Sequence, residues 1–278
     1  MNRYIKNVLD KKGILLAAHR GYCAGNIPCN TLPSYEAALQ SGADIVEVDV
    51  SVSADGKLFA FHPGMERAHL KSPKLISELP ASEVEKLCYY NFDNAPTQYG
   101  VSYFEDVMRL LKGRCIVNID KFWTAMPEIT AVVRKLDMAE QVIVKTDATE
   151  AEFEKLEQIA PDFAYMPMIR KEDTVTDALA KRNINLLGVE VLFASDADPL
   201  ASEAYIRSMH EKGLLLWANA IVYNYKDVIA ADHTDDVSVS GNPDHGWGWL
   251  AERGFDMIQT DWLAPADAYL RCKGFRNA

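Results

Sequence analysis

Apolar residues in this chain come in short runs bounded by turn chemistry, with stretches of helical periodicity between them. The runs cover residues 14–18, 45–50, 115–120, 142–145, 164–168, 187–192, 214–218 and 257–260. Alternation of this kind predicts repeated βα units around a parallel sheet, and eight strands is the number that closes a TIM (β/α)8 barrel. Helix signals support it: Asp198-Pro199 precedes one helical stretch and Gly213 follows it, and Asn242-Pro243 and Gly254 bracket another. Further helices are expected over 32–40, ended by Gly42, over 103–112, ended by Gly113, and over 150–159, where Thr149 and Glu152 offer a capping box.

Two stretches break the alternation. Residues 63–102, with Pro63-Gly64, Pro73, Pro80 and the polar 91–96, are too long for an ordinary loop and predict a small lobe inserted after the second-strand hairpin, over the barrel mouth. Residues 222–246 form a second excursion. The expected organisation is one α/β barrel over 1–278 carrying an insertion at about 63–102.

Strand periodicity then places the chemistry. Glu47 and Asp49 are two apart on the second strand, so both carboxylates face the barrel interior, where two unpaired anions repel and lose solvation; a bound cation removes both problems, as does a salt bridge. Asp55-Gly56 is a tight-turn signal, so 57–62 should return antiparallel to 45–53 and bring His62 roughly opposite Asp49. His19-Arg20-Gly21 ends the first strand at the same C-terminal pole. Histidine moves protons near neutral pH, and arginine grips phosphate oxygens through its planar fork. On the third strand Asn118 and Asp120 alternate inward, and Asp120 can complete a three-carboxylate site. Lys145 on the fourth strand and Glu190 on the sixth are open to two readings, substrate contact or a buried ion pair. Trp217 and Asn219 end the seventh strand, Thr260 and Asp261 the eighth. His69, His210, His233 and His245 fall in the lobe, a helix or the second excursion and are assigned no chemistry.

Composition narrows the partners. The 278 residues are 49% hydrophobic and 25% charged, as in ordinary globular proteins, with a formal net charge of −11. An isoelectric point near 5.1 argues against nucleic acid or an anionic membrane as the main partner, so an anionic substrate needs a local cationic or metal-bearing pocket. Five cysteines without a C-x-x-C pair fit a reducing compartment. The first residues carry no hydrophobic leader core, and the expectation is a soluble, cytoplasmic protein of unknown oligomeric state without stable membrane insertion.

The motifs together resemble the glycerophosphodiester phosphodiesterase family, whose TIM barrels are akin to phosphatidylinositol-specific phospholipases C. The resemblance rests on His19-Arg20-Gly21, Asn30-Thr31, the run 42–50 with Glu47 and Asp49, Asp55-Gly56 through Phe61-His62, Asn118-Ile119-Asp120-Lys121, Trp217-Ala218-Asn219 and Gln259-Thr260-Asp261. It implies a metal-dependent hydrolysis of a small-molecule phosphodiester, with His19 and His62 as the acid/base pair and Arg20 on the phosphate. It implies Glu47, Asp49 and Asp120 as ligands of a divalent cation (Mg²⁺ or Ca²⁺, with Mn²⁺ also suitable); Lys145 and Trp217 are expected as substrate contacts from their strand positions. The insertion would shape the alcohol pocket. The chain departs from the family pattern in three places: Cys29 stands where a glutamate precedes Asn-Thr, Pro63 follows His62 in place of an acid, and the third ligand is Asp120. Lys121 adjoins Asp120 and is expected to face the opposite way, leaving Lys145 to replace the family lysine. Rival readings are a lyase stopping at a cyclic phosphate, a diesterase for another polyol phosphate, and a barrel that binds a phosphodiester without turning it over.

Overall fold

The computed structural model describes residues 3–277. Its strands are β1 (Leu15–Ala18), β2 (Ile45–Val52), β3 (Leu58–Ala60), β4 (Cys88–Tyr90), β5 (Pro96–Gly100), β6 (Ile116–Asp120), β7 (Val142–Asp147), β8 (Ala164–Arg170), β9 (Gly188–Leu192), β10 (Leu215–Asn219) and β11 (Met257–Thr260). Eight of these run parallel in the order β1-β2-β6-β7-β8-β9-β10-β11, and β1 pairs with both β2 and β11, which closes a TIM barrel. All eight apolar runs of the sequence became barrel strands, because each is buried on both faces.

The two faces of each strand carry different chemistry. Outward residues such as Val46, Val48, Val50, Val117 and Ile119 pack under the surrounding helices. Inward residues at the N-terminal end, among them Leu15, Ile45, Ile116, Ile143, Leu215 and Met257, form an apolar plug that Ile5 of the helix Arg3–Lys12 seals from below. One or two inward steps further along, the same strands present His19, Glu47, Asp49, Asn118, Asp120, Lys145, Asn219 and Gln259. The polar half of the lumen is thus confined to the C-terminal mouth. At the opposite end, buried Arg276 binds Asp44 and Asp267 and donates to the carbonyls of Ile14 and Gly42, tying the C-terminus to the start of the barrel.

The hairpin after β2 forms at the predicted turn, with Gly56 at φ +78°. β3 pairs Val50 with Ala60 and Val52 with Leu58, and the Phe61 amide donates to the Asp49 carbonyl at 3.2 Å. Phe61, one residue earlier than expected for His62, therefore sits opposite Asp49, because the turn closes over Ser53–Lys57, where the Ser53 amide donates to the Lys57 carbonyl. Residues 63–102 contain three short helical turns and the antiparallel pair β4–β5. They pack around Phe59, Phe61, Leu70, Ile76, Val84 and Tyr89, a cluster of their own. Among the described residues no helix is long and apolar enough to cross a membrane. Thr149 caps the helix Glu150–Ile159 by accepting from the Glu152 amide, without the reciprocal half of a capping box.

Candidate active site

A cleft of about 430 Å³ opens at the C-terminal mouth and is lined by His19, Arg20, Glu47, His62, Asp120, Lys121 and Lys145 among others. β1 ends at Ala18, and the chain then turns sharply: Arg20 and Gly21 have φ of 59° and 83°. That turn lets the Arg20 carbonyl meet the Asn30 amide and sets His19 and Arg20 over the lumen. A Cβ on Gly21 would lie 2.5 Å from Ser34 Oγ and 2.9 Å from the Ser34 carbonyl carbon, inside the first turn of the helix Leu32–Gln40. Gly21→Ala is therefore expected to cost about 1–3 kcal/mol, measured by chemical denaturation, because backbone strain and a backbone clash coincide.

Three carboxylates meet beneath His19. The register pairs Glu47 with Asn118 and Asp49 with Asp120 on adjacent strands, and one oxygen each of Glu47, Asp49 and Asp120 lies within 4.8 Å of the others. Gln259 Nε2 donates to Glu47 Oε2 at 2.6 Å, and the Arg20 amide donates to the same oxygen at 3.2 Å. Asn30 Nδ2 donates to Asp49 Oδ2 at 2.7 Å, and Asn30 is itself held by the Tyr35 hydroxyl at 2.8 Å. Arg20 Nε lies 3.1 Å from the same Asp49 oxygen, and Lys121 Nζ lies 2.7 Å from Asp120 Oδ2. Asp49 Oδ1 is fully enclosed and has no hydrogen-bond partner.

A buried anionic oxygen with no donor is costly. Its position between two further carboxylates, in an all-oxygen donor set, fits a hard divalent cation held by Glu47, Asp49 and Asp120. Electrostatics agree. Burial, reinforced by Asp49 and Asp120 and opposed by His19, pushes the Glu47 carboxyl up to about 7, whereas Lys121 overcomes burial at Asp120 and holds its pKa low. A carboxyl whose folded pKa is raised favours folding fully below its unfolded value and loses that contribution as pH rises towards the folded pKa. In chelator, Glu47→Gln should therefore gain melting temperature relative to wild type as pH is raised from about 4.5 to about 7, a difference that scanning calorimetry at several pH values measures.

The two histidines are held differently. His19 Nδ1 lies 2.8 Å from Asp261 Oδ1 and its Nε2 lies 3.8 Å from Glu47 Oε2. Burial works against the imidazolium, but Glu47 and Asp261 outweigh it and raise the His19 pKa. His62 Nδ1 donates to the Pro63 carbonyl at 2.9 Å, and burial lowers the His62 pKa with help from Arg20 and Lys121 against Asp49.

Comparison with known proteins adds to this geometry. Residues 165–270 match a family model described as a domain of unknown function. A glycerophosphodiester phosphodiesterase of Bacillus altitudinis is 31% identical over 109 residues, covering 37% of this chain and 43% of the relative, so the chain spans less than half of that protein's length. A crystal structure of a glycerophosphoryl diester phosphodiesterase from Parabacteroides distasonis superposes with a TM-score of 0.75 at 14% identity, covering 95% of this chain and 88% of that one. This chain is similar in sequence, over part of its length, and in fold to glycerophosphodiester phosphodiesterases. A phosphodiesterase from Oleispira antarctica, in complex with the product sn-glycerol-3-phosphate, shares the fold with a TM-score of 0.66 and 15% identity over 92% of this chain and 96% of that one.

Lys121 and Trp217 stand elsewhere than expected, and Lys145 takes the ion-pair alternative while still lining the cleft. Lys121 faces the cleft, not away from it: β6 ends at Asp120, and Lys121 at φ 59° reverses the side-chain alternation of the strand. Lys145 is almost fully buried, paired with Glu190 at 2.8 Å, and its ammonium sits 3.3 Å from the Trp217 ring centre. Trp217 is wholly buried and forms the floor beneath Lys145, its indole nitrogen donating to Asn219 Oδ1, so it has no surface to offer a substrate. Cys29 Sγ lies 3.7 Å from His69 Nδ1, and burial pushes the thiol pKa up to about 12, so it stays neutral and supplies none of the charge of a glutamate. Gln259 and Asp261 also belong to the site, through Glu47 and His19 respectively, and their inward parity with Met257 on the last strand is the sequence signal for it. Beside Cys29 a second pocket of about 270 Å³ lies between the loop 23–29 and the lobe residues Tyr89, Tyr90 and Phe92.

Proposed function

We propose that this protein hydrolyses a glycerophosphodiester to an alcohol and glycerol 3-phosphate, with a divalent cation held by Glu47, Asp49 and Asp120. The observation that carries the proposal is the meeting of two histidines, Arg20, Glu47 and Asp120 in one cleft at the barrel mouth, with Asp49 and its orphaned oxygen buried against that cleft to complete the carboxylate triad. Bound there, a Mg²⁺ or Ca²⁺ ion would supply Lewis-acid polarisation of a non-bridging phosphate oxygen.

The chain's own groups do the rest. Arg20 and Lys121 line the cleft and share the phosphate charge, each already balanced against one carboxylate. Lys145 contributes as a fixed charge paired to Glu190, one layer deeper. The Pro63 carbonyl fixes the Nδ1–H tautomer of His62, which leaves Nε2 free to accept a proton from the attacking group, either water or a substrate hydroxyl whose cyclic phosphate product water then opens. Asp261 favours the imidazolium of His19, which protonates the leaving alkoxide from Nε2. The apolar pocket between loop 23–29 and the inserted lobe, residues 63–102 of a single barrel unit, receives the alcohol. Five free cysteines support a reducing, cytoplasmic setting.

The reading is tested by incubating the protein with glycerophosphocholine, glycerophosphoethanolamine or a chromogenic phosphodiester, with Mg²⁺, Ca²⁺ or Mn²⁺ and with chelator, and following products by phosphorus NMR. Cation-dependent release of glycerol 3-phosphate is expected. Accumulation of a cyclic phosphate would replace hydrolysis by a lyase reaction, and tight binding without turnover would make the barrel a receptor.

A further inference from the structure

The second excursion of the chain carries a group of metal-ligand side chains that the hydrolytic site does not use. His233 is wholly buried, stacked flat on Trp249 with ring centres 3.7 Å apart and 7° between planes. Its Nδ1 donates to the His245 carbonyl at 2.6 Å, which fixes the tautomer and points Nε2 at Asp196 Oδ1, 2.7 Å away. Asp232 Oδ1 lies 3.9 Å from the same nitrogen, and Asp232 Oδ2 lies 2.7 Å from His245 Nε2. One atom each of Asp232, His233 and His245 falls within 4.8 Å of the others.

We propose that Asp196, Asp232, His233 and His245 form a zinc site. Two imidazole nitrogens and two carboxylates are a donor set suited to Zn²⁺, whose bonds of about 2.0–2.1 Å in tetrahedral geometry put neighbouring ligand atoms about 3.3 Å apart. The His–Asp separations of 2.7 and 3.9 Å bracket that value. A backbone carbonyl on the far ring nitrogen of His233 is the outer-shell contact that orients a ligating histidine. His233 brings a rigid, buried anchor, whereas Asp196, Asp232 and His245 are exposed enough for an ion to enter. The four come from three places: Asp196 from the loop after β9, Asp232 and His233 from the excursion after β10, and His245 from the turn before the helix Trp249–Arg253. Asp227 and Ile229, just before Asp232, line the cleft, so the ion clamps one wall of that cleft to the barrel.

The test is equilibrium dialysis of the full chain against Zn²⁺ alone, with metal counted per chain, alongside His245→Ala and Asp232→Asn. Both positions are exposed at the side chain, so neither variant should disturb the fold; melting temperature in chelator checks this. His233→Ala is avoided because it would leave a hole against Trp249. Wild type should bind one Zn²⁺ more than either variant, or bind that equivalent at least about tenfold more tightly. Zn²⁺ should also slow protease cleavage within 222–232 in wild type and not in the variants. Equal stoichiometry and affinity in all three proteins would overturn the proposal and leave two ordinary His–Asp hydrogen bonds. The carboxylate triad is unaltered in every protein compared, so the outcome is independent of the hydrolytic reading.

Discussion

Alanine in place of His19 or His62 is expected to lower kcat/KM for glycerophosphocholine by about 10²- to 10⁴-fold, the range over which a positioned acid or base contributes. The double variant should be little worse than either single one, because the two proton transfers serve one transition state. The pH profile separates the roles. His62, with its pKa lowered, must be neutral to accept a proton, so the wild-type rate falls on the acid side as pH drops through that pKa. His19, with its pKa raised, must be protonated to donate, so the rate falls on the alkaline side as pH rises through it. The acid limb should vanish in His62→Ala and the alkaline limb in His19→Ala. Full activity in either variant, or exchange of the two limbs, would reject the assignment. Both side chains border an open cleft, so melting temperatures should stay close to wild type.

Asp49→Asn should abolish the response to divalent cations and reduce turnover by about 10²-fold or more, the several kcal/mol that a cation contributes at a phosphoryl oxygen. The variant also tests the fold. Asp49 is fully buried, and it balances Arg20 and accepts from Asn30. Removing one partner of a buried pair leaves the other uncompensated and costs about 3–5 kcal/mol. Denaturant unfolding should show that loss, and calorimetric titration with Mg²⁺ should show no heat of binding where wild type does. A variant that still binds Mg²⁺ like wild type would move the cation away from the triad. The conservative Glu47→Gln keeps an acceptor for Gln259 and the Arg20 amide while removing a charge. It should therefore lose cation affinity with little loss of stability.

Much of this site was readable in the sequence because strand geometry is periodic. Once 45–52 is a strand with Ile45 inward, Glu47 and Asp49 must face the same lumen, and the same count places Asn118 with Asp120 and Lys145 with Asp147. Counting fails where the strand ends. Lys121 was expected to face away, yet its left-handed backbone turns the ammonium onto Asp120. His62 lies within one residue of its expected register, since Asp55-Gly56 marks the turn but not the Ser53–Lys57 span over which it closes. Trp217 and Lys145 illustrate a second limit: parity says that a side chain points inward but not how deep it lies. Trp217 is buried beneath the cleft floor, whereas Lys145 is nearly buried at the base of the cleft that it lines, where Glu190 takes its charge. The histidines of the second excursion carried no periodic signal. Only long-range packing brings Asp196 to His233 and Asp232 to His245.

Local and periodic rules thus settled the eight strands, the pole that carries the polar cleft, and the inward set His19, Glu47, Asp49 and Asp120, because backbone alternation and burial act within a few residues. The tertiary structure decided what each charge faces: Asp261 on His19, Gln259 on Glu47, Lys121 on Asp120 and Glu190 on Lys145. Those partners, apart from Lys121 beside Asp120, lie on other strands or loops brought together only when the barrel closes. Their electrostatic work is done across space, where sequence spacing carries no information.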